Sequence, residues 1–102
     1  MFVLPEPVAF LWDAANKEKN LWRHGLRAQE IEEVFFDEGK KLYADVLHSG
    51  REERYLLIGK TKLHRLLFIV FTVRHDKIRV ISARNLNRKE YHLYEENNQE
   101  TT

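Results

Sequence analysis

The segment from Arg54 to Lys89 constrains the fold most strongly, because it combines a high positive charge with the sequence pattern of a β-sheet. It contains ten basic residues and one acid, in a chain whose net charge is only +1. Two strand-like apolar runs, residues 66–73 and 78–83, lie between the basic residues. The positive charge is therefore expected on a folded sheet, and a cationic sheet face is a natural binding site for a polyanion such as nucleic acid.

Composition excludes several classes of function. At 102 residues the chain is predicted to form one domain, residues 1–102, with a loose lead-in over residues 1–7 and a frayed tail over residues 97–102. It has no cysteine, which excludes disulfides, thiol nucleophiles and cysteine-ligated zinc. The N-terminus lacks the pattern of a signal peptide, and no apolar run approaches the ~20 residues of a membrane helix, so a cytoplasmic protein is expected.

Local signals predict an α+β fold of order β-α-α-β-β-β-β-α, with two N-terminal helices and a C-terminal helix packed on one side of a mostly antiparallel β-meander. Asp13 and Gly25 are the predicted N-cap and stop signal of the first helix, Ala14–His24. The second helix is predicted over residues 28–36, with a buried stripe at spacing i, i+3, i+4 formed by Ile31, Val34 and Phe35. Strands are predicted over residues 8–12, 41–47, 54–59, 65–74 and 77–84, with Asn85 or Asn87 capping a final helix that ends near residue 96.

The first predicted helix carries a polar stripe with two interpretations. Asn16, Asn20 and His24 recur every four residues and so share one helix face. This face either contacts phosphate, with His24 as an acid/base group, or is a solvated surface. Trp12 and Trp22 either stack on bases or belong to the core, and the core is the commoner place for aromatics near a strand–helix junction.

The predicted strand 77–84 carries two arginines that strict alternation places on opposite faces. Arg79 and Arg84 would therefore share a site only if the end of the strand twists. Either arginine could clamp phosphate, or simply keep the surface soluble. Glu52 and Glu53 beside Arg54 could orient a nucleophile or form a surface ion pair. The remaining histidines are scattered and no glycine-rich phosphate loop occurs, so neither a metal nor a small-molecule cofactor is expected.

Three segments carry a family resemblance over residues 10–95. They are Phe-Leu-Trp-Asp at 10–13 with Arg-His-Gly-Leu at 23–26, then Glu-Glu-Arg-Tyr-Leu-Leu-Ile-Gly at 52–59, then Ile-Arg-Val-Ile-Ser-Ala-Arg at 78–84 followed by Arg-Lys-Glu at 88–90. In order and spacing they resemble the BrnT-type ribonuclease toxins of bacterial type II toxin–antitoxin systems.

The resemblance implies a RelE-like fold and a metal-independent endoribonuclease that needs no cofactor, cleaves mRNA and inhibits translation. It also implies neutralisation by a BrnA-like ribbon-helix-helix antitoxin in a heterotetramer, with promoter DNA contacted only through the antitoxin. By matching position, the implied catalytic residues are His24, Glu53, Arg54, Arg79 and Arg84, and the implied RNA-binding residues are Arg74, Arg88 and Lys89.

The chain departs from the family pattern at Asn16, Val73 and Asn85, where charged residues are frequent. A weakened toxin homologue or a non-catalytic nucleic-acid-binding module is therefore an alternative. A protein-interaction domain whose basic face docks an acidic partner segment is another.

Overall fold

The computed structural model of the chain describes residues 4–6, 8–45 and 50–95. Its elements are β1 (Phe10–Leu11), α1 (Ala14–His24), α2 (Ala28–Val34), β2 (Lys41–Ala44), β3 (Tyr55–Lys60), β4 (Leu66–Arg74), β5 (Lys77–Asn85), a 3₁₀ turn (Arg88–Glu90) and α3 (Tyr91–Glu95). The strands form one sheet in the order β1-β5-β4-β3-β2, parallel between β1 and β5 and antiparallel elsewhere. The predicted α+β class and meander are thus confirmed.

Some predictions fall on residues outside those ranges. These are most of the lead-in, the end of the predicted strand 41–47, the end of the final helix and the whole tail. Within the described ranges, no helix combines the length and apolar character needed to cross a membrane.

The predicted boundaries of α1 are confirmed by both caps. The side chain of Asp13 accepts a hydrogen bond from the Asn16 amide at 2.7 Å. At the other end, Gly25 has a φ of 64°, a left-handed conformation that glycine adopts without steric cost. The amide of Gly25 donates to the Leu21 carbonyl, so the last turn of the helix is closed.

The core lies between α2 and one face of the sheet. Ile31 and Val34 are fully buried and Phe35 nearly so, which confirms the predicted stripe. The Phe35 ring meets Phe10 and Phe71 edge-on, at centroid distances of 5.2 and 5.1 Å, a favoured aromatic geometry. The sheet contributes Leu57, Leu67, Ile69, Phe71, Ile78, Val80 and Ala83 to this core. The opposite face of β3, β4 and β5 is here named the exposed sheet face.

A β-bulge interrupts β5. Val70 of β4 pairs with Ser82, whereas the next residue, Phe71, pairs with Val80, so Ile81 is an extra residue in the ladder. Beyond the bulge the alternation changes phase. Arg79 and Arg84 therefore both lie on the exposed sheet face, and the prediction that they point apart was wrong.

Helix α1 covers the outer edge of β5 beside the bulge. The strand β1 pairs only with Ile78 and Arg79, so the following carbonyls are left to other donors. Asn16 Nδ2 donates to the Val80 carbonyl at 2.7 Å, and Lys19 Nζ donates to the Ile81 carbonyl at 3.3 Å. Backbone acceptors that are shielded from water need such partners.

Two members of the polar stripe of α1 thus face the protein instead of solvent: Asn16 contacts the sheet edge, and Asn20 is only 1% exposed. The two tryptophans of this region differ in burial. Trp12 packs against the core and donates to the Glu32 carboxylate at 2.7 Å. Trp22 is 87% exposed, so its assignment to the core was wrong.

The C-terminal segment packs at one end of the exposed sheet face. Asn87, and not Asn85, provides the cap: its side chain accepts from the Glu90 amide, while Asn85 belongs to β5. The Tyr94 hydroxyl donates to Asp37 at 2.8 Å, which ties α3 to the loop after α2. The Tyr94 ring also lies near Lys41 and Lys60, which the strand register places on the exposed side. This placement differs from the expectation that all three helices share one side.

We predict that Gly59→Ala destabilises the fold by about 1–3 kcal/mol, the usual cost of overpacking. A Cβ at this position would meet Val34 Cγ1 at 2.8 Å and Asp37 Oδ2 at 3.1 Å. Urea unfolding measures the effect. Gly50→Ala is the matched control, because a Cβ there meets nothing within 4 Å. Equal free energies of unfolding for the two variants would contradict the packing argument.

We also predict that Asn16→Ala lowers the free energy of unfolding by about 1–2 kcal/mol, because the Val80 carbonyl loses its side-chain donor. Lys17→Ala, an exposed neighbour on the same helix, should change stability far less. Amide hydrogen exchange in β5 provides a second readout. Unchanged protection around the bulge in Asn16→Ala would show that the contact does not hold it.

Candidate nucleic-acid interface

The exposed sheet face carries arginines at both ends and apolar side chains between them. Arg84 lies opposite Phe68 on β4, and Arg79 lies opposite Thr72. Arg74 follows two residues after Thr72 and so shares its face. Arg54 immediately precedes β3 and lies two residues before Leu56, whose side chain is on the exposed sheet face. The register therefore brings together four of the predicted site arginines: Arg54, Arg74, Arg79 and Arg84.

Arg84 is held by a carboxylate and a ring. Its two terminal nitrogens donate to the two oxygens of Glu90, each at 2.8 Å. Its guanidinium carbon lies 4.5 Å from the centroid of the Phe68 ring, within cation–π range. Hydrogen bonds donated by Arg84 and by the backbone amide of Asn87 lower the pKa of Glu90 from 4.5 to about 2. Glu90 is therefore ionised at neutral pH and orients the guanidinium.

A second carboxylate organises the other end of the face. Arg74 Nη2 donates to Glu52 Oε1 at 2.9 Å, and Nε donates to the other oxygen. This hydrogen bonding, together with the charges of Arg74, Arg79 and Arg54, lowers the pKa of Glu52 and outweighs the opposing effect of desolvation. Arg79 also approaches Asp13, with 3.5 Å between Nη2 and Oδ2. These are solvent-accessible ion pairs, which contribute little to stability and exchange partners readily.

Two predicted catalytic residues, His24 and Glu53, have no described side-chain contact with these arginines. The carbonyl of His24 accepts from Arg65 and Asn85, and Arg65 in turn binds Glu30 of α2, on the helix side of the sheet. The Glu53 carboxylate accepts from the Tyr55 hydroxyl at 3.2 Å, and the Tyr55 ring packs toward the core. The Glu53 carbonyl accepts from the Thr72 hydroxyl at 2.8 Å, so its backbone borders the exposed sheet face. These contacts place neither the His24 imidazole nor the Glu53 carboxylate among the arginines.

The two remaining predicted residues lie in the C-terminal segment. Arg88 and Lys89 are exposed in the 3₁₀ turn just before Glu90. They extend the positive charge beyond the end of β5, next to Arg84 and its partner.

Sequence reasoning named Glu52, with a surface ion pair as one of its two possible roles, but it did not identify Arg74 as the partner. It gave Glu90, the partner of Arg84, no role. The sequence signal available for Glu90 was its position three residues after Asn87, which is the spacing of a capping box.

Sequence reasoning also missed a hollow of about 440 Å³ in the middle of the exposed sheet face. It is lined by Asp45, Arg54, Leu56, Phe68, Val70, Ile81 and Ser82. No linear motif marks it, because its walls come from four separate segments, one of which contains the bulge. Among the described ranges, no three histidine or carboxylate side chains are grouped so as to hold a metal ion.

Comparison with known proteins first defines the class of fold. The crystal structure of the Brucella abortus ribonuclease toxin BrnT matches with a TM-score of 0.59 and 21% identity, over 79% of this chain and 99% of that one. At this identity the match establishes a shared fold. No curated protein matches the chain significantly.

The family follows from the sequence. The family described as ribonuclease toxin, BrnT, of type II toxin–antitoxin system matches residues 12–90. The chain therefore belongs to the BrnT family of ribonuclease toxins, as the resemblance indicated. Membership of a type II system implies an antitoxin partner.

We predict that the Arg84–Glu90 pair makes stability pH-dependent. A lowered pKa in the folded state stabilises above about pH 4.5, the ordinary value, and this contribution disappears as the pH falls toward about 2. Because both side chains are partly exposed, the contribution at neutral pH should be roughly 1 kcal/mol.

Urea unfolding of Glu90→Gln at pH 7 and near pH 2 tests this prediction. The variant should be less stable than the parent at pH 7 and should match it at the acidic end. Glu95→Gln, an exposed carboxylate on α3, controls for general charge effects. A stability difference that stays constant with pH would show that the ion pair is not its source.

Proposed function

We propose that the chain is an endoribonuclease that cleaves mRNA in the bacterial cytoplasm and so inhibits translation, with the exposed sheet face as its RNA-binding surface. The observation that carries this proposal is the bulge in β5, which gives Arg79 and Arg84 the same face as Arg54 and Arg74. Grouped guanidinium groups are well suited to phosphate, because arginine offers a planar fork of donors and stays charged.

The proposed reaction is attack of the ribose 2′-oxygen on the adjacent phosphorus. The P–O5′ bond breaks, the 2′-hydroxyl loses its proton and the 5′-oxygen gains one, which leaves a 2′,3′-cyclic phosphate and a 5′-hydroxyl. Alignment and stabilisation of the pentacoordinate phosphorus carry much of such a reaction. We assign both tasks to Arg54 and Arg79, with Arg74 on the flanking phosphate.

The carboxylates have a different role. A low pKa makes Glu52 a poor general base, so we assign it the orientation of Arg74 and its neighbours. Glu90 does the same for Arg84, whose two terminal nitrogens it already occupies. Proton transfer by His24 or Glu53 would require RNA to reach past the edge of the exposed face.

A specific observation also favours a second candidate, a weakened or non-catalytic RNA-binding member of the family. The described contacts place no histidine among the arginines, and three of those arginines already bind carboxylates. Such a protein would bind RNA in a salt-dependent way without cutting it.

For the antitoxin we propose a BrnA-like ribbon-helix-helix protein in a heterotetramer, with promoter DNA contacted only through the antitoxin. Support comes from the carboxylates of Glu52 and Glu90, which already bind Arg74 and Arg84 of this face. An acidic antitoxin segment laid across the same arginines would exclude RNA. RNA and antitoxin should then compete, and simultaneous binding would refute this masking.

We predict that expression without an antitoxin arrests bacterial growth and creates new mRNA ends. Arg54→Gln and Arg79→Gln should each reduce cleavage by roughly 10–1,000-fold, because each removes charge stabilisation of the reacting phosphate. Mapping of RNA ends after induction, and product analysis with purified protein and chelator, measure the effect.

Arg23→Gln is the matched control, an exposed arginine at the end of α1. It should retain arrest and cleavage. Full activity in Arg79→Gln would remove this residue from the site. Tight, salt-dependent RNA binding by the parent protein without new ends would leave the non-catalytic candidate in its place.

A further inference from the structure

The hollow in the exposed sheet face has a flat apolar floor. Leu56 pairs with Val70, so these two side chains are neighbours across β3 and β4. Phe68 lies two residues before Val70 on β4 and therefore shares the same face. Ile81, the extra residue of the bulge, completes the apolar lining. A volume of about 440 Å³ falls in the range of small-molecule sites, roughly 300–1,000 Å³. Apolar and aromatic side chains on a sheet form a surface on which an unpaired base can stack.

The polar side chains of the hollow limit which base it can accept. Asp45 is fixed at the end of β2, where its amide donates to the Arg54 carbonyl at 2.8 Å. Its carboxylate only accepts hydrogen bonds, whereas the Ser82 hydroxyl opposite Val70 can donate or accept. Arg54 lines the same hollow and supplies a positive charge for a sugar or phosphate oxygen.

Guanine matches this donor and acceptor pattern. Its Watson–Crick edge presents two adjacent donors, the ring N1–H and the exocyclic amine, and a carboxylate can accept from both. Adenine and cytosine present one donor beside a ring nitrogen that accepts, which a carboxylate repels. Uracil presents one donor between two carbonyl oxygens. A carboxylate at the rim of an apolar pocket therefore selects guanine.

We propose that the hollow binds a guanine base of single-stranded RNA, with Asp45 accepting hydrogen bonds from its Watson–Crick edge and Leu56, Phe68 and Val70 stacking below it. This subsite rests on the proposed RNA-binding function and gives it a base preference. The arginines at the two ends of the exposed face then hold the flanking phosphates, and Arg84 lies over Phe68, which lines the hollow.

Binding of short 2′-O-methyl pentanucleotides tests this subsite apart from cleavage, because a methylated 2′-oxygen cannot attack phosphorus. The oligonucleotides carry uracil at four positions and guanine, inosine, adenine, cytosine or uracil at the centre. Fluorescence anisotropy should show guanine bound roughly tenfold more tightly than adenine, with inosine, which lacks the exocyclic amine, in between. Asp45→Asn should abolish this ranking, and the control Glu18→Gln, an exposed carboxylate of α1 that does not line the hollow, should preserve it.

Equal affinity for all five oligonucleotides, no binding of any of them, or an unchanged ranking in Asp45→Asn would each overturn the subsite. The inosine comparison needs no variant, so the test holds even where Asp45→Asn does not fold. Unmodified RNA separates the two proposals. Cleavage without base preference would overturn the subsite and keep the nuclease, whereas guanine-selective binding without cleavage would support the subsite and overturn the nuclease.

Discussion

The bulge in β5 is the constraint on which the exposed sheet face depends. Without Ile81 as an extra residue, strict alternation would send Arg79 and Arg84 to opposite faces of the sheet. With it, both guanidinium groups lie on the face that contains the hollow. Two side chains of α1 stabilise this irregularity, since Asn16 and Lys19 donate to carbonyls of the bulge. The N-terminal helix thus shapes a surface built mainly by the C-terminal half of the chain.

The positive charge of this face is compensated locally. Arg84 binds Glu90 and Arg74 binds Glu52, and both carboxylates lie just outside the basic segment 54–89. A count of basic residues along that segment therefore overstates the charge that a ligand meets. The pairs are partly exposed, so they contribute little to stability and exchange for another anion at small cost. Compensation of this kind keeps the guanidinium groups oriented before a phosphate arrives.

Local interactions were readable from the sequence, and tertiary ones were not. Asp13 and Gly25 marked the ends of α1 because a cap involves only neighbouring residues, and helical periodicity marked the buried face of α2. The bulge had no such signal, because residues 78–84 alternate acceptably in either phase and the contacts from α1 to the carbonyls of Val80 and Ile81 are remote in sequence. The exposure of Trp22 was missed for a related reason: it depends on how α1 is rotated against the strand edge. Four site arginines could be predicted, but their common face could not.

The C-terminal segment holds Arg84 beside the hollow. Burial and the hydrogen bond to the Asp37 carboxylate raise the pKa of Tyr94 to about 12, so the hydroxyl remains a donor through neutral pH and anchors α3. The same segment carries Glu90, which holds Arg84 over Phe68. Contacts from α1 to the bulge and from the C-terminal segment to Arg84 therefore surround the hollow from both ends of the chain. Because the lining itself comes from four separate segments, the hollow is a property of the assembled sheet, and a linear motif could not have marked it.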